Sequence, residues 1–372
     1  MHDIKSTLTL LSILLLLLLP MSTLAAYTLT DNYSKDTFFG NFTAFAAKDP
    51  TNGFVTYQPY PAAAAQSLIH TVPNALSASY ISVDPSTTTN AGRSSVRISS
   101  TKSFNSGSLF IVDLLHMPKN TCGSWPAFWL LGPDWPNGGE VDIVEGVNDQ
   151  EYNQMTLHTA PGCKTDTNVS GGFRGKVGES KECGPGPGGE NTGCAIMSPA
   201  AENGGGGPYF GDGFNRGNGG VYATEWTSDH IAIWFFPRNA IPMDIASEDP
   251  KPDPTKWGVP LARWAKSGCD IDKYFKDMKI VFNTAFCGDW AGKVWASGGC
   301  AKKTGVSTCE EYVRRNGGEF KESFWLVNYV RVFQQGAGQG QQQQQQQQQS
   351  QGGGKMRRGE RIVEIVEEDI ES

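Results

Sequence analysis

The chain has 372 residues, with 31 Lys and Arg against 38 Asp and Glu, a formal net charge of −7. That balance argues against a phosphate-backbone partner, which calls for a basic surface, so no nucleic-acid partner is expected. Gly numbers 44, Pro 21 and aromatics 11%, and short alternating runs between turns outnumber helical-period runs, so the expected fold class is all-β.

The N-terminus sets the expected compartment. Lys5 precedes an apolar run from Leu8 to Leu19, followed by Pro20 and the small pair Ala25-Ala26. A charged start, a short apolar centre and small residues at the cut form the plan of a secretory signal peptide. A membrane anchor is the weaker reading, because the run falls short of the ~20 residues needed to span. Cleavage near Ala26–Tyr27 then gives a secreted, extracellular protein.

Eight cysteines, Cys122, Cys163, Cys183, Cys194, Cys269, Cys287, Cys300 and Cys309, all follow that cut. An even set in an oxidising compartment reads as disulfides. The absence of paired CxxC spacing speaks against zinc, and eight cysteines allow 105 pairings. Local loops such as Cys183–Cys194 and Cys300–Cys309 are the simplest expectations. Acceptor sequons stand at Asn32, Asn41 and Asn168.

Taken in order, residues 54–57 follow the turn signals Asp49-Pro50 and Asn52-Gly53 and read as a strand. Residues 93–99 and 108–116 are further strands, and the second, SLFIVDLLH, alternates too little to have a wet face. After 154–159 (QMTLHT), which puts His158 on one face with Gln154 and Thr156, residues 160–220 turn Gly- and Pro-rich. They read as one long functional or mobile loop. Their Gly runs lack a following Lys-Ser/Thr, which disfavours a phosphate cradle. Strands resume at 221–226, 230–236, 278–286 and 324–333, with a second surface loop at 247–268. In the last strand, strict alternation sets Phe324, Leu326, Val330 and Val332 against Trp325, Val327, Tyr329 and Phe333, as inside a two-sheet sandwich.

Residues 336–372 form a Gln/Gly-rich segment, expected to be disordered, and a charged end that lacks the apolar tail of a lipid anchor. The expected organisation is therefore a signal peptide at 1–26, one folded domain at 27–335 and a tail at 336–372, with no membrane anchor.

The chemistry concentrates in residues 123–146, GSWPAFWLLGPDWPNGGEVDIVEG, where three tryptophans run into Glu140, Asp142 and Glu145. Side chains alternate along a strand, so Glu140 and Asp142 share a face and Glu145 would point away. One β-bulge between Asp142 and Glu145 restores it. Leaning together, the two glutamates can approach the ~5–5.5 Å of a retaining glycosidase, against ~6.5–9.5 Å for an inverting one. Like charges so close leave one glutamate protonated and the other anionic. The same three acids also fit a solvated strand face or a calcium site. Trp125 and Trp129 suit a core, whereas Trp135, in turn-rich PDWPNGG, suits an exposed ring that stacks on sugar.

GEVDIVEG resembles the bulged acid motif of glycoside hydrolase family 16. WPAFWLLGPDWPNGGEVDIVEGVN, NQMTLHTAPGC, NRGNGGVYATEW, WFFPR, NTAFCGDWAG and DPTNGFVTY resemble the fungal laminarinase-type endo-1,3(4)-β-glucanases, in register over about 27–335. The resemblance implies a concanavalin-like β-jelly-roll sandwich of two antiparallel sheets with an open concave cleft. It implies Glu140 as nucleophile, Glu145 as acid/base and Asp142 as helper, with Trp129 and Trp135 lining sugar subsites and His158 beside the acid/base. The expected partner is β-glucan, with no cofactor and no metal, bound by a monomer. Cell-wall transglycosylases of the family have the unbulged motif and often a lipid-anchor signal, which favours hydrolysis here. A non-catalytic glucan-binding protein would have lost the glutamates.

Overall fold

The computed structural model describes residues 27–336 apart from 74–77, 87, 187 and 201–206. The expected signal peptide, the tail and most of the Gly run at 204–207 lie outside the described residues. In chain order the first strands are β1 (Tyr27–Ser34), β2 (Phe42–Ala44), β3 (Val55–Tyr57), β4 (Ile69–Thr71), β5 (Ser79–Ser82) and β6 (Arg93–Ser95). Then come β7 (Arg97–Ser100), β8 (Ser108–His116), β9 (Ser124–Leu131), β10 (Glu140–Glu145), β11 (Gln154–His158) and β12 (Lys176–Val177). The last are β13 (Cys194–Met197), β14 (Gly220–Trp226), β15 (His230–Pro237), β16 (Ala262–Ala265), β17 (Lys279–Phe286) and β18 (Phe324–Gln335).

Two large antiparallel sheets carry the fold. One runs β16-β15-β14-β8-β18-β5-β4, with β1 also on β18, and the other β12-β13-β11-β10-β9-β17-β7-β2. The main core lies between them: Phe110, Val112, Leu114 and Trp325 from the first sheet meet Phe128, Leu130, Val141, Leu157 and Phe282 from the second. β8 is buried on both faces as its sequence implies, because Leu109 and Ile111 join a second apolar cluster with Trp234 and Phe236 on the first sheet's far side. Ile241, Ile245 and Trp257, from the segment after β15, cover that cluster.

Three expectations change. The stretch 160–220 is not one loop: β12 and β13 extend the second sheet, and a helix spans Gly211–Arg216. Strands of two and four residues are too short to show a period. The loop at 247–268 likewise contains β16. In β18 the alternation switches midway, so Trp325 and Val327 share the core face with Val330 and Val332. Irregular pairing between Val327 and Tyr329 inserts one residue and flips the face, as a bulge does.

The disulfides are Cys122–Cys300, Cys163–Cys269, Cys183–Cys194 and Cys287–Cys309. Cys183–Cys194 is as expected, but Cys300–Cys309 is not formed. Cys309 opens a helix capped by Thr308 and bonds to Cys287, while Cys300 reaches across 178 residues to Cys122 just before β9. Among the sequons, Asn32 and Asn168 are exposed, whereas Asn41 spends its side-chain N–H on the Thr37 carbonyl.

Candidate active site

β10 lies inside the second sheet between β9 and β11. Gly139, at φ +80°, turns the chain into it; a Cβ there would sit 2.5 Å from the Phe275 ring, so only glycine fits. Pairing with β9 runs Glu140 to Leu131 and Asp142 to Trp129, then shifts so that Val144 meets Phe128 and Glu145 meets Ala127. The shift is the expected bulge. Val141, Ile143 and Val144 all enter the core, so two successive side chains point inward and Glu145 emerges with Glu140 and Asp142 on the outer face.

That face is closely built. Asp142 is 1% exposed and Glu145 7%, while Glu140 is half-buried. The Trp125 indole N–H donates to Glu145 Oε1 at 2.8 Å. His158 pairs across the strands with Glu140, and its Nε2 lies 3.4 Å from Asp142 Oδ2. Its Nδ1 faces the Asn191 side-chain oxygen at 3.3 Å. The imidazole thus stands directly opposite the first glutamate, because the β10–β11 ladder pairs Glu140 with His158, and it also feels the charge of the second. Trp129 donates to Asn283 Oδ1 at 2.7 Å, and the Arg97 guanidinium lies 4.9 Å over its ring. Trp135 is 48% exposed, 6.4 Å from the His158 ring.

Burial and the charge of Asp142 push Glu140 up to about 8, against the opposing effects of His158 and the Trp135 indole. Burial, then Asp142, raise Glu145 well above the usual carboxylate range, with the Trp125 N–H acting to lower it. For His158, burial works downward but is outweighed by the Asp142 hydrogen bond and the surrounding carboxylates, which push it up to about 10. Each of these groups binds its proton more tightly folded than unfolded. Their contribution to stability is therefore complete below the unfolded values of 4.5 and 6.5 and is lost as pH rises through about 8 and about 10. The melting temperature should be highest at mildly acidic pH and decline toward pH 9, with a shallower decline in Glu140→Gln. A pH series of thermal melts checks this.

Trp125 is no core residue: it is half-buried, holds Glu145 and packs edge-on against Trp290 at 5.6 Å. Beyond it a cavity of about 750 Å³ is lined by Asn148, Tyr152, Gln154, Glu179, Trp290 and Ser297. Sequence reasoning missed Trp125, Trp290 and Asn153 as site residues. Trp290 stands in the quoted CGDWAG segment, and Asn153 immediately precedes the QMTLHT strand. Glu140, Asp142 and His158 also offer ligand atoms within 4.8 Å of one another, a set able to hold a cation.

Paired carboxyl groups between tryptophans on an open face of a two-sheet sandwich define a carbohydrate-processing class of site. Residues 42–333 match the XgeA-like catalytic domain of glycoside hydrolase family 16 (GH16). The chain belongs to that family. It is 44% identical over 318 residues to an endo-1,3(4)-beta-glucanase of Arthroderma benhamiae, covering 84% of this chain and 66% of that protein. It is 41% identical to a probable glycosidase of Schizosaccharomyces pombe, covering 83% and 69%. With a probable endo-1,3(4)-beta-glucanase of Aspergillus flavus it shares 40% identity, but spans only 45% of that protein's length. Among solved structures, laminarinase 16A of Phanerochaete chrysosporium, with β-glucans in its donor and acceptor sites, is 38% identical at a TM-score of 0.74. It is covered in full by 83% of this chain. An elongating GH16 β-1,3-glucosyltransferase is 39% identical at a TM-score of 0.73, covering 82% of this chain and 99% of that one. The fold is the family's jelly roll.

Proposed function

We propose that the chain is a secreted, retaining endo-β-glucanase that hydrolyses β-1,3 bonds, and β-1,4 bonds next to β-1,3 units, by double displacement. The observation that carries this reading is the bulge, which gathers both glutamates and Asp142 on one face of β10. Glu140 is the nucleophile. The imidazolium opposite it and the Trp135 N–H work against the burial and the Asp142 charge that hold its proton, and its anion attacks the anomeric carbon while Glu145 gives its proton to the leaving oxygen. Glu145 then takes a proton from the water that opens the glycosyl-enzyme. Its burial and the nearby Asp142 charge suit it to carry that proton near neutrality. Asp142 stands between the two glutamates on the same face, with His158 Nε2 3.4 Å from its Oδ2. Trp129 and Trp135 line the sugar path, and the two carboxyl groups complete the cycle without a cofactor.

The endo-1,3(4)-beta-glucanase relative and the β-glucans bound by laminarinase 16A support this substrate. Disulfide bonding of all eight cysteines suits an oxidising compartment and so supports secretion. The catalytic unit is residues 27–335, acting as a monomer on β-glucan. The similarity to the glucosyltransferase favours a second reading, transfer to a sugar acceptor, which shares the same covalent intermediate.

Laminarin incubated with the purified protein should yield new reducing ends, and Glu140→Gln should yield none. Tight binding by the wild type with no new ends would remove the enzymatic reading. Products longer than a supplied laminari-oligosaccharide would establish transfer. Proton NMR should show the β-anomer first, and early α-anomer would exclude retention.

A further inference from the structure

A bulge leaves backbone groups without ladder partners, and buried ones must find others. Pairing of β10 with β11 stops at Asp142 opposite Thr156. Beyond it, the Ile143 carbonyl and the Glu145 N–H point toward β11 with no strand residue to meet them. Asn153, wholly buried just before β11, fills both places. Its Oδ1 accepts from the Glu145 N–H at 2.9 Å, and its Nδ2 donates to the Ile143 carbonyl at 2.8 Å. The side-chain amide thus does for Val144 what the backbone of one paired strand residue would do.

The clamp is itself anchored. The Asn153 N–H donates to Ser198 Oγ at 3.0 Å, and its carbonyl accepts from the Ser198 N–H at 2.8 Å. Ser198 directly follows β13, so the clamp on the Glu145 N–H is tied to the strand beyond β11 as well as to β10's own neighbours.

We infer that Asn153 is the positioning residue for Glu145: it holds the bulge in the one register that presents the carboxyl to the leaving oxygen. This rests on the reading of Glu145 as acid/base. Without the amide, two buried backbone groups lose their partners, and β10 relieves them by slipping at Ile143–Val144. Glu145 then turns away from the substrate, while Glu140, three residues upstream of Ile143 and on the regular part of the ladder, stays in place.

The consequence is a dependence on the leaving group. A dinitrophenyl leaving group departs without protonation, whereas a glucan oxygen does not. Asn153→Ala should therefore lose about 10²-fold in kcat/KM on laminarin, the scale of an ångström misplacement. On dinitrophenyl β-laminaribioside its kcat/KM, which reports formation of the glycosyl-enzyme, should change by no more than about threefold, since Glu140 is undisturbed. Asn153→Asp keeps the acceptor for the Glu145 N–H and loses only the donor; it should show the same pattern with about a tenfold loss on laminarin. It decides the matter if the alanine variant does not fold, as thermal melts of both will show. Glu145→Ala runs alongside as the reference for lost protonation. Equal losses on the two substrates, or no loss on either, would overturn the assignment to Asn153. If Glu145→Ala itself shows no leaving-group dependence, the acid/base role of Glu145 fails first and the inference goes with it.

Discussion

Glu140→Gln should lose turnover on laminarin on the order of 10⁵-fold or more, the scale on which removal of a covalent nucleophile acts. The amide has nearly the carboxylate's shape, so substrate should still bind and KM should hold. The folded protein should not weaken either. Glu140 is a desolvated carboxyl beside Asp142, raised to about 8, and above that pH its charge opposes folding, which a neutral side chain does not. Activity assays with thermal melts at pH 8 check both parts. A loss of turnover with a lower melting temperature would point to misfolding instead.

Deletion of Val144 should collapse activity by at least ~10²-fold, although it leaves both glutamates in the chain and restores strict alternation. The shortened strand, Glu-Val-Asp-Ile-Glu, still turns its last acid outward. That acid, however, retreats by one strand step, ~3.3 Å. It then leaves the Trp125 indole, now 2.8 Å away, and the Asn153 amide that holds its N–H. Loss of a fully buried valine adds a stability cost of about 1.5–3 kcal/mol. Kinetics on laminarin and a thermal melt separate the two effects. Retained activity would mean that the bulge only accommodates an extra residue and does not set the acid's aim.

Much of this architecture is legible before folding. β8, β14, β15, β17 and β18 stand out because long apolar runs between Gly and Pro punctuation have few alternatives to a buried strand. β9 does not, since Trp125, Trp129 and the apolar residues between them place bulky groups on both faces and hide the period. β1 is missed for the opposite reason: largely exposed, it is held by pairing with β18 rather than by an apolar face. Cys122–Cys300 spans 178 residues and has no local signal.

The acidic stretch divides in the same way. Residue types and order alone determine that three acids follow a tryptophan run, and that Glu145 needs one extra residue to rejoin the other two, because strand alternation is a strictly local rule. Whether Trp125 faces core or substrate, where His158 stands, and what holds the bulge are decided only by the sheet. Trp125 meets Glu145 because β9 lies beside β10; His158 meets Glu140 through cross-strand register. Asn153 acts on the bulge because Ser198, 45 residues away, anchors it. Such contacts depend on which strands become neighbours, and that follows from how the whole chain buries its apolar surface rather than from any short stretch of it.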